Sequence, residues 1–452
     1  MGLLIIDGCA IATCDGVGTE YTTGHISIVD GRIARVGPGP AAPEDDAEVV
    51  DGSQCLATPG LVNTHHHLFQ WITRGLAQDS TLFEWLQTLY PIWAGMDAGL
   101  EFTAASAGLA ALALSGCTTA ADHHYVFPRH GGDVLAAEIS AARRIGLRLQ
   151  PTRGSMDLGV SAGGLPPDVI VEDRDEILAA CEQAVCDHHD ASFDSMLRIA
   201  IAPCSPFSVT GELMIESAQL ARRLGVRLHT HLAETLDEQA FCLAKFGARP
   251  VDYVQSLGWL GQDVWLAHGV HLSGPDIAKL AATGTGLAHC PSSNGRLGAG
   301  IAPVPELLAA GVPVGLGVDG VASNEHGGLV QELRQSLLFA RSRQGPRAMS
   351  ARQALMMATA GGARCLGREA ELGSLEVGKL ADIALWRLDG LGHADIADPV
   401  CALVFGPTAP LELLLVGGNR IVEAAELRTA DVAELAAASR AASRELLRRA
   451  TA

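Results

Sequence analysis

Lysine is almost absent. Of 452 residues, only Lys245, Lys279 and Lys379 carry an ammonium group. No basic run precedes the C-terminal tail, and the formal net charge is −19. A nucleic-acid binder shows a basic patch, so that class is excluded. The eleven cysteines are odd in number and contain no CxxC pair. That speaks against a disulfide framework and for a reducing compartment. No apolar run approaches the roughly 18 residues of a membrane span. The first eight residues lack a basic segment, and their apolar run is too short for a signal peptide. These absences predict a soluble, cytoplasmic protein with no membrane partner.

What is plentiful is Ala, Leu, Gly and Val, in a chain that is 48% hydrophobic. Such a composition suits an α/β protein with a buried parallel sheet. The length allows one large barrel plus a smaller domain. Residues 3–58 read as short strands, with Asp30-Gly31 as a hairpin signal. From Gly60 the pattern changes to apolar runs alternating with amphipathic helices. Eight runs are counted, ending near His67 and at 117–123, 147–153, 197–203, 226–231, 264–268, 284–289 and 312–319. Eight β/α units predict a (β/α)8 TIM-type barrel. A long loop is expected after the first strand, through Trp71, Trp85 and Trp93, as a lid or pocket wall. Short strands return at 378–386 and 411–416 and are expected to join the N-terminal ones. The expected division is a composite β-sandwich from 1–58 and 373–425, a barrel over 59–372, and a C-terminal helix in 426–452.

The barrel is organised around Pro59-Gly60-Leu61-Val62-Asn63-Thr64-His65-His66-His67. Side chains alternate along a strand, so His65 and His67 share one face and His66 points the other way. Two imidazoles so placed can reach one zinc-sized ion at roughly 2.0–2.1 Å. Three more strand ends carry competent groups. The run 226–231 puts His229 and His231 on one face, followed by Glu234; another ends in His268; the eighth ends in Asp319. Barrel active sites form at these C-terminal strand ends. Four such ends in one barrel are hard to explain as core filling.

These motifs resemble the amidohydrolase superfamily over most of the chain: PGLVNTHHH, HTHLAE, LAHG, GVDG and the closing GSLEVGKLADIALW. The resemblance implies the barrel with its flanking sheet domain. By motif position it implies metal ligands His65, His67, His231 and Asp319, a proton-shuttling Glu234, and His268 beside the water. Dimers are common in that family, so a homodimer is the expected oligomer. Binuclear members bridge their ions with a carboxylated lysine on strand 4, and no lysine lies there. One ion per chain is therefore expected, Zn²⁺ by donor type, with Fe²⁺ fitting the same set.

Such an ion lowers the pKa of its water towards about 7 and makes a nucleophile. Asp319 and His268 would orient that water and take its proton, and Glu234 would carry a proton towards departing ammonia. The expected substrate is a small aminated heteroaromatic. Gln70 offers a lactam-reading amide, and Arg153 could hold a ring carbonyl. His229 is expected to support His231, His123 and His124 to be structural, and Asn294 and Arg296 to brace the strand-7 loop or close over substrate. Residues 151–156 with 163–168, 204–209 and 235–260 resemble the 8-oxoguanine deaminase branch, which neighbours the s-triazine hydrolases. Guanine, a pterin such as isoxanthopterin, or an amino-s-triazine are the rival substrates. A catalytically inactive scaffold is the rival of another class, and it should have lost ligands that this sequence keeps.

Overall fold

The computed structural model describes residues 2–451. Eight parallel strands close a barrel in chain order: Leu61–Asn63, Cys117–His124, Arg148–Ser155, Ala200–Pro203, Arg227–Leu232, Val264–His268, Gly286–His289 and Val314–Leu316. They coincide with the eight runs, three of them extending one or two residues past the expected end, and are called barrel strands 1–8 below. Strands 2 and 3 are buried at every position. Their polar members, among them Asp122, His123, His124, Arg148 and Arg153, are therefore buried with them and need partners inside the fold. Past the rim, His66–His67 pairs with Asp319–Gly320. This short ladder places the end of strand 8 against the histidines after strand 1.

Nine further strands form a second sheet. Five come from the N-terminal side: Leu4–Ala12, Glu20–Val29, Arg32–Pro38, Glu48–Asp51 and Cys55–Pro59. Four come from the C-terminal side: Ile383–Arg387, Leu411–Val416, Asn419–Glu423 and Glu426–Leu427. The two sets meet where Cys55–Pro59 runs antiparallel to Ile383–Arg387. One sheet face has its own apolar core, with Ile6, Ile26, Ile33, Ile383 and Leu415. Ala12, Leu56, Trp386 and Leu414 belong to the core of the barrel. A buried ion pair ties the two units together: Arg148 of strand 3 donates to both oxygens of Asp382 at 2.8 and 3.1 Å.

The segment after strand 1 is not the long loop expected from the sequence. It forms a 3₁₀ turn, Leu68–Thr73, and the helices Leu82–Trp93 and Ala98–Leu114. The Glu84 carboxylate accepts the Thr81 N–H at 3.0 Å, one half of a capping box that starts the first helix. The C-terminal helix, Val432–Ala450, begins at an Asp431 cap. Its Leu446 is buried in the same apolar cluster as Trp85 and Trp93, so the chain's last helix braces the pocket wall. No helix among the described residues is long and apolar enough to cross a membrane.

Candidate active site

Four strand ends deliver one cluster. His65 and His67 follow strand 1, His231 lies on strand 5, His268 ends strand 6 and Asp319 follows strand 8; all five are buried. Each ligand-type histidine is oriented by its second ring nitrogen. His67 Nδ1 donates to the His123 carbonyl at 2.7 Å, and His231 Nδ1 to the Cys204 carbonyl at 2.7 Å. His229 Nδ1 donates to the Trp265 carbonyl, and its Nε2 then accepts from His65 Nδ1, both at 2.8 Å. His229 therefore supports His65, not His231 as the sequence suggested. It lies two residues before His231 on strand 5.

These bonds assign the tautomers. With every Nδ1 protonated, the Nε2 atoms of His65, His67 and His231 are lone pairs. His67 Nε2 lies 3.0 Å from His231 Nε2, and Asp319 Oδ1 lies 3.3 Å from the Nε2 atoms of both His65 and His67. His65 Nε2 has no hydrogen-bond partner. Acceptors facing acceptors at this range repel unless a cation lies between them. Ligands sharing a tetrahedral ion at roughly 2.0–2.1 Å stand roughly 3.3 Å apart. The donor set therefore fits a divalent metal.

Burial opposes ionisation of Asp319, yet the surrounding histidines hold its carboxyl well below the usual range. Ser293 Oγ also donates to its Oδ2 at 2.6 Å. Asp319 and His268 both have left-handed backbones, with φ of 66° and 75°. Such strain in non-glycine residues gathers at functional sites and persists because the surroundings impose it.

Glu234 and His268 stand beside this cluster. His268 Nε2 is 3.7 Å from Glu234 Oε2 and 3.9 Å from Asp319 Oδ2, and its Nδ1 donates to Asn294 Oδ1 at 2.9 Å. Burial raises the Glu234 carboxyl to about 7. Burial works against a proton on His268, but the Glu234 and Asp319 carboxylates outweigh it and raise its pKa. The turn carrying Glu234 is held by Glu238, whose two oxygens accept the N–H groups of Ala233 and Glu234 at 2.8 Å each. Ala233 is itself left-handed, with φ 54°.

A small, mostly apolar pocket opens over the cluster. Its wall includes Trp85, Tyr90, Tyr125 and Phe207, with Gln70 at its edge. Gln70 Oε1 and the Tyr90 hydroxyl are buried and have no hydrogen-bond partner. Cys204 also lines the pocket, but burial pushes its thiol up to about 12, so it is a poor nucleophile.

Arg153 does not join them. In strand 3 it pairs with His124, on the face turned away from the barrel interior. There its guanidinium makes two bonds to Glu172, at 2.6 and 3.1 Å, and lies over Phe127. The expectation that it holds a ring carbonyl gives way to that outward placement. His123 lies inside the barrel and His124 outside, both buried. Arg296 braces the loop after strand 1 through the carbonyls of Leu76 and Ala77. Sequence reasoning missed Tyr90, Tyr125 and Glu238. The four-residue spacing from Glu234 to Glu238 was a usable signal; the tyrosines gave none.

The comparisons agree with this geometry. The family model described as Amidohydrolase family matches residues 56–421. The chain is 46% identical to the 8-oxoguanine deaminase of Pseudomonas aeruginosa, covering 97% of both chains. It is 39% identical to an isoxanthopterin deaminase from an unknown prokaryotic organism, over 98% of this chain and 97% of that one. The atrazine chlorohydrolase of Arthrobacter aurescens, solved with zinc, superposes with a TM-score of 0.92 at 34% identity, over 97% of this chain and 100% of that one. A closed barrel with its polar groups at four strand ends, matched by sequence and by structure over nearly its full length, places this chain in the amidohydrolase family.

Proposed function

We propose that the chain is a zinc-dependent deaminase that converts 8-oxoguanine and water to uric acid and ammonia, with one ion at the catalytic centre. The observation that carries the chemistry is the convergence of the His65, His67 and His231 Nε2 lone pairs with Asp319, next to Glu234 and His268. A divalent ion held there supplies Lewis acidity and makes water nucleophilic near neutral pH. None of the three lysines lies near that point: Lys245 reaches the carbonyls of Ala162 and Gly163, Lys279 pairs with Asp252, and Lys379 with Glu376. A lysine-bridged second ion thus has no ligand here.

His268, fixed by Asn294, orients the attacking water and takes up its proton. Glu234, with its carboxyl near neutrality, gives its proton to a ring nitrogen. It then collects the second proton of water from the hydroxyl added at the ring carbon and passes it to the departing amino group. His268 returns the water's first proton to Glu234, 3.7 Å away. Gln70 Oε1 is free to accept a ring N–H of the substrate. The identity to the P. aeruginosa deaminase supports 8-oxoguanine over other aminated rings. Side-by-side kcat/KM values for 8-oxoguanine, guanine, isoxanthopterin and an amino-s-triazine test the reading. 8-Oxoguanine should lead, and Gln70→Leu should lower its kcat/KM without releasing metal. A tenfold advantage for any of the other three overturns the substrate assignment while leaving the deamination chemistry standing.

A further inference from the structure

We propose that a second divalent-cation site lies behind barrel strand 2, built from Glu101, His124 and Glu138. Glu101 is on helix Ala98–Leu114, Glu138 is on helix Val134–Ile145, and His124 is the last residue of strand 2. His124 points outward, opposite to His123, so this cluster is separated from the catalytic pocket by the barrel wall. All three residues are 0% exposed. One ligand-type atom from each lies within 4.8 Å of the other two.

The hydrogen bonding makes the case. His124 Nε2 donates to the Val126 carbonyl at 2.8 Å, so its Nδ1 is a lone pair. That lone pair faces Glu101 Oε2 at 3.7 Å. Neither this nitrogen nor any of the four carboxylate oxygens has a hydrogen-bond partner. One ligand-type atom from each residue thus comes together within 4.8 Å, and no neighbouring group donates to any of the five atoms. A bridging proton would need a separation of roughly 2.6–3.2 Å, and 3.7 Å is too long for it. Two ligands of a shared tetrahedral ion at roughly 2.0–2.2 Å stand roughly 3.3–3.6 Å apart, which is close to the spacing seen.

Charge points the same way. Burial drives the carboxyls of Glu101 and Glu138 well above their usual range, and the nearby Asp122 carboxyl pushes both further. Uncompensated, such a group is costly; a divalent cation balances two glutamates and uses the free imidazole nitrogen. One nitrogen and two carboxylates suit Zn²⁺ or another first-row divalent ion. The ion would pin two helices to strand 2, whose His123 carbonyl orients His67. Its role is structural, and it does not depend on which ring the enzyme deaminates.

Metal analysis of the gel-filtered protein tests the site. The wild type should hold two divalent ions per chain, and Glu138→Gln and His231→Ala one each, lost from opposite sites. A wild-type content of one ion that falls to none in His231→Ala overturns the proposal. So does a Glu138→Gln protein that keeps both ions. If Glu138→Gln does not fold, the His231→Ala count decides alone: one ion supports the second site, and none refutes it. A wild type with one ion that His231→Ala keeps and Glu138→Gln loses would support this site while refuting the catalytic one.

Discussion

His229 contacts no substrate and is not proposed as a ligand, yet metal binding should depend on it. Its ring stacks on Trp265 with centroids 4.3 Å apart. Between Trp265 and His65 it acts as a hydrogen-bond relay that leaves the His65 Nε2 lone pair aimed at the ion. His229→Phe keeps the ring and nearly the volume, and removes both nitrogens. His65 Nδ1–H and the Trp265 carbonyl then lose their partners inside the barrel, at about 1–3 kcal/mol each. Part of that cost appears as lower stability. The rest appears as metal affinity, because His65 is no longer held in one tautomer. Loss of such a supporting partner typically weakens metal binding about 10–100-fold, or about 1.4–2.7 kcal/mol. Competition for zinc against a chromogenic chelator measures it directly. An affinity within about twofold of wild type would refute the relay. A loss far beyond roughly 100-fold would make His229 itself a ligand.

Three further outcomes are expected. Glu234→Gln keeps shape and hydrogen-bonding reach but cannot pass a proton, so kcat should fall about 10²–10⁴-fold with the metal retained; a drop under tenfold contradicts the assigned role. Arg148→Met leaves Asp382 charged and buried between barrel and sheet, and should cost about 3–5 kcal/mol in chemical denaturation; an unchanged midpoint would show that the pair contributes nothing there. Burial raises the Glu332 carboxyl from 4.5 to about 7, despite hydrogen bonds from Ser292 and Asn324. Because the folded state holds this proton more tightly, the stability it gives is full below pH 4.5 and is lost as pH rises towards 7. Glu332→Gln should therefore flatten the decline in unfolding free energy across that window, and an unaltered slope counts against it.

The barrel was legible because strands buried on both faces, such as Ala200–Pro203 and Val264–His268, are apolar nearly throughout and stand out as runs against amphipathic helices. The catalytic cluster was legible because its members interrupt those runs at their ends. The pocket wall was not. Pro91 lies inside helix Leu82–Trp93 and breaks the helical reading, although Thr81 and Glu84 already spelled a capping box. Arg153 was misplaced for want of strand parity. Counted from His123, which faces inward, its neighbour His124 and the paired Arg153 must face out. Glu101 and Glu138 gave no warning, since a charge on an amphipathic helix ordinarily marks the wet face. Only packing reveals that these two are dry.

The sheet shared by the two ends of the chain sets a timetable for synthesis. Strand Cys55–Pro59 is buried at all five positions, but its antiparallel neighbour ends at Arg387. At about 5–20 residues per second, a ribosome needs roughly 16–66 s to travel from one to the other. Throughout that interval an apolar strand offers an open edge, the kind of surface that recruits other chains. Nascent chains of this protein should thus be most in need of a chaperone while the barrel is being made, and any truncation ahead of Ile383 should leave that edge permanently uncovered.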